Sequence, residues 1–158
     1  MSVTIDIRRI LTSALEEAKV KIQQNLASTG TNASGRTSRS LTVEVDGNTV
    51  MLNCRQAFGT VETGRKPGRV PYNFRDIIYQ WMQDKGVHAK VEGRRSQESA
   101  DRSMAYIIAR KIANEGSKLY REGGRDDIYS NVLPLTIERV RNEVTNVYII
   151  NIQNILRV

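Results

Sequence analysis

The sequence contains few of the residues that carry out chemistry in small enzymes. It has one cysteine, Cys54, and one histidine, His88, in 158 residues. A single cysteine excludes an intramolecular disulfide and a multi-cysteine zinc cluster, and because Cys54 follows an alternating apolar segment we expect a buried structural thiol. His88 lies in a polar segment with no second histidine or cysteine at ligand spacing. We therefore expect an exposed imidazole and no metal site.

Long apolar runs and aromatic residues are also scarce. No run approaches the roughly 20 residues that a membrane span requires, and charges interrupt residues 5–26, unlike the apolar core of a signal peptide. We therefore expect a protein made and used in a reducing, cytoplasmic setting, without a membrane partner. Apolar residues make up 39% of the chain and aromatic residues 6%. These values predict a single domain, residues 1–158, with a mainly aliphatic core.

Positive charge is concentrated in the middle of the chain. The net charge is +7, with 24 basic and 17 acidic residues. Residues 1–54 carry 6 basic and 5 acidic side chains, residues 55–125 carry 15 and 8, and residues 126–158 carry 3 and 4. Such a segment favours contact with acidic protein surfaces or nucleic acid. A solvated basic surface is the alternative.

No catalytic constellation emerges from the remaining polar residues. Glu62, Glu122, Asp126 and Asp127 could form the acidic cluster of a metal-dependent nuclease, but the aspartate pair follows Gly-Gly-Arg and more simply starts a helical turn. The glycines around Arg65 lack the spacing of a phosphate-binding loop. We expect no catalytic residue, no cofactor and no metal ion.

The first third of the chain predicts a helix and a hairpin. Apolar residues recur with helical periodicity from about Thr4 to Leu26. Residues 27–40 are polar and predict a flexible loop. Two β-branched segments, residues 41–45 and 49–54, flank Asp-Gly-Asn and predict a hairpin, and residues 57–62 read as a further strand. The first helix should cover one face of this small sheet.

The rest of the chain predicts helices separated by basic loops. A Gly- and Arg-rich loop precedes a helix that ends at Gly86 and buries a stripe of apolar residues; Phe74, Ile77, Ile78, Trp81 and Met82 form that stripe. Residues 87–99 predict a second exposed loop, with Ser96 or Ser99 capping a helix to about Asn114. The buried residues of that helix should be Met104, Ile107, Ile108, Ala109 and Ile112. Pro134 begins a last helix that should run to about Asn146. Residues 147–158 are ambiguous, because their β-branched density suits a terminal strand, which we favour, whereas their spacing suits a continued helix.

The basic loops supply the candidate binding residues. The first loop contributes two arginines, the loop before the helix at Phe74 contributes three cations, and the second exposed loop contributes two arginines. Tyr72 could stack on a base if the partner were nucleic acid, and a tight solvated turn is the alternative for its loop. The predicted partner-binding residues are Arg36, Arg39, Arg65, Lys66, Arg69, Arg94 and Arg95.

Three short motifs resemble the tail-completion or neck proteins of long-tailed bacteriophages. Residues 34–41, SGRTSRSL, are similar to a Thr-Gly-Arg-Leu…Arg…Ser-Ile phrase that follows the first helix in that family. Residues 61–67, VETGRKP, are similar to its Val-Glu-Phe-Gly-Thr-Arg-Pro signature, and a helix ending in Trp-x-x-x-Lys-Gly follows at residues 77–86. Residues 109–116, ARKIANEG, resemble its Ala-Arg-Lys-Ile…Gly helix end. The similarity runs through about residues 5–140, with departures at Thr37, Thr63 and Arg65.

The resemblance implies an α+β fold, with a long N-terminal helix packed on a small antiparallel sheet, further helices and flexible basic loops. It implies a non-enzymatic virion protein, assembled in the host cytoplasm as a homo-oligomeric ring, hexameric or dodecameric, in the neck. The partners would be the portal-side connector or adaptor and the tail tube or terminator proteins, with non-specific contact to genomic DNA. Residues 27–40 and 87–99 suit arms that become ordered on neighbours. A tail-terminator ring and a small basic nucleic-acid-binding protein remain the alternatives.

Overall fold

The computed structural model describes residues 3–91 and 93–157, with side chains from Asp6 onward in these ranges. Seven α-helices and two strands follow one another in these ranges, and a 3₁₀ turn at Gln56–Gly59 separates β2 from α3. The elements are α1 (Val3–Ser28), α2 (Arg36–Arg39), β1 (Thr42–Asp46), β2 (Thr49–Asn53), α3 (Thr60–Thr63), α4 (Phe74–Lys85), α5 (Gln97–Glu115), α6 (Lys118–Arg121) and α7 (Val132–Leu156). The fold is α+β, with a long N-terminal helix and a small antiparallel sheet, as the sequence predicts.

The chain is organised in two compact units. The first unit comprises the described residues of Met1–Thr31, Thr37–Gln56 and Asp126–Val158, and the second those of Asn32–Arg36 and Ala57–Arg125. The first unit therefore contains both ends of the described chain and the hairpin, whereas the second contains α3 to α6. Each unit has its own buried residues.

In the first unit, α1 packs against α7 and against both strands of the hairpin. One face of α1 supplies Ala14, Ala18, Ile22 and Leu26, each at most 2% exposed. Their spacing of four residues aligns them along one side of the helix. Leu41, Ile128 and Val132 complete the buried set of this unit.

The hairpin forms where the sequence predicts it. Val45 pairs with Val50 and Asp46 with Thr49, which leaves Gly47 and Asn48 as a two-residue turn. Gly47 adopts a φ of +54°, a conformation that glycine reaches without steric cost. The prediction for Cys54 is wrong, since this thiol is exposed. β2 ends at Asn53, so Cys54 lies just beyond the last paired residue and outside the packed face.

The C-terminal segment is helical and not a strand, because α7 runs without interruption from Val132 to Leu156. Helical spacing outweighs β-branched composition in this segment, which continues the helix that packs on α1 nearer its start. Pro134 lies in the first turn of α7, as predicted.

The second unit has its core between α4 and α5. Phe74, Ile78 and Met82 of α4 pack with Ala105 and Ala109 of α5. Gly86 ends α4 in the left-handed conformation, and the Ser96 side chain caps α5 by accepting a hydrogen bond from the Ser99 amide. Both caps agree with the sequence prediction.

The predicted apolar stripes of α4 and α5 are too wide. Ile77 and Trp81 of α4 are 45% and 40% exposed, and Ile107 of α5 is 64% exposed. Met104, Ile108 and Ile112 are only partly buried. The two alanines of α5 at the contact with α4 allow a close helix approach, so a narrow strip of each helix is enough to form the core.

The predicted strand at residues 57–62 is also wrong. These residues form the 3₁₀ turn Gln56–Gly59 and the start of α3. Local bonds favour the helical turns, since the Thr63 hydroxyl donates to the Gly59 carbonyl oxygen at 3.0 Å and the Thr60 hydroxyl donates to that of Ala57 at 2.7 Å. Within the predicted loop at residues 27–40, α1 extends to Ser28 and the short α2 forms.

Candidate partner-binding site

The basic loop of residues 64–69 leaves α3 through a glycine that no other residue could replace without a shift. The Gly64 amide donates to the Thr60 carbonyl oxygen at 3.0 Å, and its φ is +69°. A Cβ atom at this position would lie 2.3 Å from the backbone nitrogen of Tyr120 in α6. The start of the loop is therefore in direct contact with the backbone of α6.

Three hydrogen bonds then fasten the loop to the end of α5. The Gly68 amide donates to the Ala113 carbonyl oxygen at 2.8 Å, and the Ser117 amide donates to that of Arg65 at 2.8 Å. The Arg65 amide in turn donates to the Ser117 hydroxyl at 2.9 Å. Gly116 makes this approach possible, because a Cβ there would lie 2.9 Å from the Arg65 carbonyl oxygen. The loop is thus a fixed element of the second unit.

Within the loop, Arg65 is held in one orientation and keeps an unused donor. Its guanidinium lies 5.1 Å from the centroid of the Phe74 ring, and its Nη2 donates to the Arg69 carbonyl oxygen at 2.9 Å. Its Nε atom is buried, and no acceptor among the described residues bonds to it. A buried donor without an acceptor costs about 1–3 kcal/mol.

Lys66 and Arg69 are exposed beside Arg65. The three cations line an open cleft of about 610 Å³ together with Thr60, Thr63 and Tyr120. A fixed set of ammonium and guanidinium groups recognises carboxylate or phosphate oxygens. Of the seven predicted binding residues, these three are the ones that the structure brings together in one cleft.

The two arginines of the first predicted arm fall in different units. Arg36 belongs to the second unit, where its Nη2 forms an ion pair of 3.0 Å with Asp84 of α4. Arg39 belongs to the first unit and is exposed. An exposed ion pair of this kind contributes at most about 1 kcal/mol, so Arg36 remains able to exchange Asp84 for a partner's carboxylate.

The second predicted arm is anchored at both ends by one buried carboxylate. Asp101 of α5 is 2% exposed, and its Oδ1 accepts from the Ala89 amide at 2.7 Å and from the Gln97 side chain at 2.9 Å. The Gln97 side chain also donates to the Ala89 carbonyl oxygen at 2.9 Å. Farther along, Nη2 of Arg95 donates to the Ser103 hydroxyl at 3.2 Å, and Arg94 is exposed.

His88 is not the unengaged imidazole that the sequence predicts. Its Nδ1 lies 2.9 Å from Oδ2 of Asp101, which also accepts from Gln83 at 3.3 Å. The bond to His88 is the largest cause that holds the pKa of the Asp101 carboxyl well below its ordinary value, and the Ala89 amide is the next. One sequence signal of this anchor was missed: Asp101 follows Gln97 by four residues in the first turns of α5, so the two side chains lie on one face of the helix.

The acidic residues considered for a nuclease do not form a metal cluster. Glu62 is 2% exposed, and its carbonyl oxygen accepts from the Arg125 amide at 2.9 Å. Glu122 forms a 3.7 Å ion pair with Lys118. Across residues 3–91 and 93–157, no three His, Cys, Asp or Glu side chains are placed to hold a metal ion.

The comparisons with known proteins add nothing to this geometry. Comparison of the chain with protein-family models, curated sequences and solved structures finds no match. In the part of the chain that the structure describes, no helix combines the length and apolar character needed to cross a bilayer. The proposals below therefore rest on the residues and their contacts.

Proposed function

We propose that the protein is a non-enzymatic structural component of a tailed bacteriophage virion. It would form a homo-oligomeric ring in the neck that completes the tail or joins head and tail. The observation that carries the proposal is the cationic cleft of Arg65, Lys66 and Arg69, whose loop is fixed by backbone contacts and whose lining also includes Thr60, Thr63 and Tyr120. The same loop carries the central motif of the resemblance to neck proteins.

A joint between two protein assemblies needs surfaces that recognise neighbours by charge and that keep their shape. Cations on a loop with a fixed backbone meet this need. The Arg65 guanidinium is also held by the Phe74 ring and the Arg69 carbonyl oxygen, and a positioned guanidinium loses less conformational entropy on binding than a mobile one. Acidic faces of a connector or a tail protein would be the matching surfaces, and charge complementarity would select them over other partners. In this function the cleft therefore binds an acidic face of a neighbouring protein.

The test is deletion of the gene in its native phage or prophage, followed by counting of particles in negative-stain electron micrographs. Filled heads and separate tails without joined virions are the expected result. Complementation with Lys66→Glu plus Arg69→Glu should fail to restore joining, whereas Arg55→Glu plus Arg141→Glu, the same charge change at exposed positions of the first unit, should restore it. Abnormally long tails would assign the ring to the tail terminus, and normal infectious particles after deletion would overturn the virion role.

Nucleic-acid binding is the second candidate, and the charge of the second unit favours it. That unit carries 15 basic and 8 acidic residues, the entire +7 excess of the chain. Binding to phosphates would make the affinity fall steeply with salt, and loss of Lys66 or Arg69 would each reduce the logarithmic salt slope by about 1. Fluorescence anisotropy with a labelled DNA duplex at several salt concentrations distinguishes this function from recognition of an acidic protein.

A further inference from the structure

One face of the hairpin carries two carboxylates and no cation. Glu44 pairs with Met51 and Asp46 with Thr49, and paired residues of an antiparallel ladder project on the same side of the sheet. All four residues are exposed. Because Glu44 and Asp46 are two positions apart on one strand, they lie roughly 7 Å apart and their side chains point in the same direction. We call these two side chains the acidic face.

The carboxylates of the acidic face are unpaired. Other exposed carboxylates form ion pairs within the chain, as Glu98 does with Arg102. In the ranges that the structure describes, the exposed carboxylates with neither an ion pair nor a hydrogen bond are those of Glu44, Asp46, Asp126 and Glu138. Of these four, the two on β1 are the pair that shares one face of a helix or strand. The acidic face is therefore the place where unpaired negative charge is concentrated.

The hairpin presents the acidic face from a fixed position on α1. Val43, Val50 and Leu52 lie on the opposite face of the hairpin and are partly buried, and α1 packs against both strands. At the turn, Nη2 of Arg8 in α1 donates to the Asn48 side-chain oxygen at 3.4 Å. The acidic face therefore points away from the side on which α1 packs.

The cationic cleft has the charge and the size to take both carboxylates. Lys66 and Arg69 are exposed, and their charged groups form no ion pair with any residue that the structure describes. The chain bends at Pro67 and Gly68 between them, and both side chains line the cleft of about 610 Å³. A cleft of this volume is roughly 8 Å across if it is equally wide in each direction, so two carboxylates about 7 Å apart on a strand fit within it.

We propose that the acidic face of one copy of this chain binds in the cationic cleft of the next copy. Copies of a chain with a net charge of +7 repel each other at long range, so a contact between copies requires a surface of opposite sign. The acidic face supplies that surface, and the cleft is its complement. The two surfaces belong to different units, so the contact is head-to-tail and closes into a ring when the rotation permits. The inference names the next copy as the neighbour that the cleft binds, and its place in the neck rests on the proposed function.

The contact should be weak for each pair of copies and sensitive to salt. Ion pairs on an exposed surface contribute about 1 kcal/mol or less each, so the contact selects and orients copies more than it binds them tightly. In a closed ring each copy uses both surfaces, and the last contact becomes intramolecular. Salt should dissociate the copies, because the Debye length falls from about 10 Å at 0.1 M salt to about 3 Å at 1 M.

Carbodiimide crosslinking of the purified full-length chain at low salt tests the contact directly. The reagent joins a carboxylate to an amine when the two are in contact, so it should couple Lys66 to Glu44 or Asp46. In an equimolar mixture of isotope-labelled and unlabelled chains, mass spectrometry of the covalent oligomers should find this crosslink between a labelled and an unlabelled peptide. Three results would overturn the proposal: a crosslink confined to single chains, oligomers joined through other residues, and the absence of covalent oligomers.

Charge reversal tests whether these two surfaces are partners. Glu44→Lys plus Asp46→Lys, and Lys66→Glu plus Arg69→Glu, should each weaken association at least about 10-fold in sedimentation velocity, because like charges then face each other. An equimolar mixture of the two variants should recover association, since the reversed hairpin of one variant then meets the reversed cleft of the other. A mixture that stays monomeric would overturn the pairing.

Asp126→Lys plus Glu138→Lys is the matched control for the hairpin variant. It makes the same charge change at exposed carboxylates that are also unpaired, but these two do not lie on the acidic face. The control should retain association, and its circular dichroism and that of both variants should match the wild type, because all the changed side chains are exposed. Equal losses in the control and the hairpin variant would show that association follows net charge and not this contact.

The two proposals fail in different ways. Normal virions after gene deletion, together with the crosslink between copies, would remove the neck function and leave the contact in place. Unjoined heads and tails after deletion, without that crosslink, would remove the contact and leave the function, with the cleft assigned to another acidic protein.

Discussion

The two units of this chain expose different chemistry to their surroundings. The first unit has no net charge and exposes apolar side chains along α7, whereas the second carries a net charge of +7 and exposes cations on a loop fastened to α5 and α6. Neutral apolar surfaces are typical of permanent contacts between subunits. Charged and rigid surfaces act more through selection and steering of partners. The two units therefore present different kinds of surface, one neutral and apolar and the other cationic.

The frameworks also differ in where close packing is concentrated. In the first unit, the buried residues of α1 are aliphatic and repeat every four residues. In the second unit, the tightest contacts involve glycines, at Gly64, Gly116 and Gly124, where a Cβ would meet another atom within 3 Å. The second unit should therefore be the more sensitive of the two to the smallest possible substitutions.

The largest expected effect is that of Gly64→Ala. The added Cβ would lie 2.3 Å from the Tyr120 nitrogen, and the φ of +69° is unfavourable for alanine. We expect a loss of about 3 kcal/mol or more in the stability of the second unit. Hydrogen exchange should show lost protection in α4 and α5 and retained protection in α1 and α7.

Gly86→Ala is the matched control for this substitution. Gly86 has a φ of +65°, but no atom lies within 4 Å of the position that its Cβ would occupy. Only the backbone cost remains, which is about 1–2 kcal/mol. Equal effects of the two substitutions would show that close approach is unimportant, and equal loss of protection in both units would show that they unfold together.

A smaller effect is expected from acid, and it should again fall on the second unit. The folded chain holds the pKa of Asp101 well below its ordinary value through bonds from His88 and the Ala89 amide. As the pH falls below about 4, the unfolded chain binds a proton that the folded chain does not. The contribution of Asp101 to stability is thus present above pH 4 and is lost progressively below it.

Asp101→Asn should therefore lower stability at pH 7 and flatten its dependence on pH between about 5 and 3. Urea unfolding at a series of pH values measures both quantities. Asp76→Asn is the control, because Asp76 lies on α4 with a 57% exposed side chain. A wild-type pH dependence that Asp101→Asn leaves unchanged would show that the anchored carboxylate is not a source of stability.

Local signals in the sequence were sufficient to predict the hairpin, the caps at Gly86 and Ser96 and the existence of the long helices. Each of these depends on a few neighbouring residues and on a periodicity that any packed helix or hairpin must show. The strand prediction at residues 57–62 failed because local hydroxyl bonds favour helical turns. The strand prediction at residues 147–158 failed because this segment continues α7 without a break, in spite of its β-branched composition. The periodicity also could not show that Ile77, Trp81 and Ile107 are exposed, since alanines on α5 narrow the helix contact.

The candidate site was only partly predictable. Composition identified Arg65, Lys66 and Arg69 as basic loop residues, but the contacts that fix them come from positions 113–120, about 50 residues farther along the chain. A sequence gives no local sign of such a pairing. The role of Asp101 was only partly visible in the sequence, because its bond to Gln97 is local to α5 whereas its other partners come from α4 and from the loop before α5.

Removing two exposed cations should have the smallest effect on stability. It also gives the sharpest test of the difference in charge between the two units. Lys66→Ala plus Arg69→Ala should change stability by no more than about 0.5 kcal/mol, as is usual for exposed side chains. Lys21→Ala plus Arg141→Ala removes the same charges from the first unit. Elution from a heparin column measures affinity for an anionic surface. Because fixed cations in a cleft act together, the loop variant should elute at clearly lower salt than the control. Equal elution would mean that the anion affinity follows net charge alone and that the cleft has no special role.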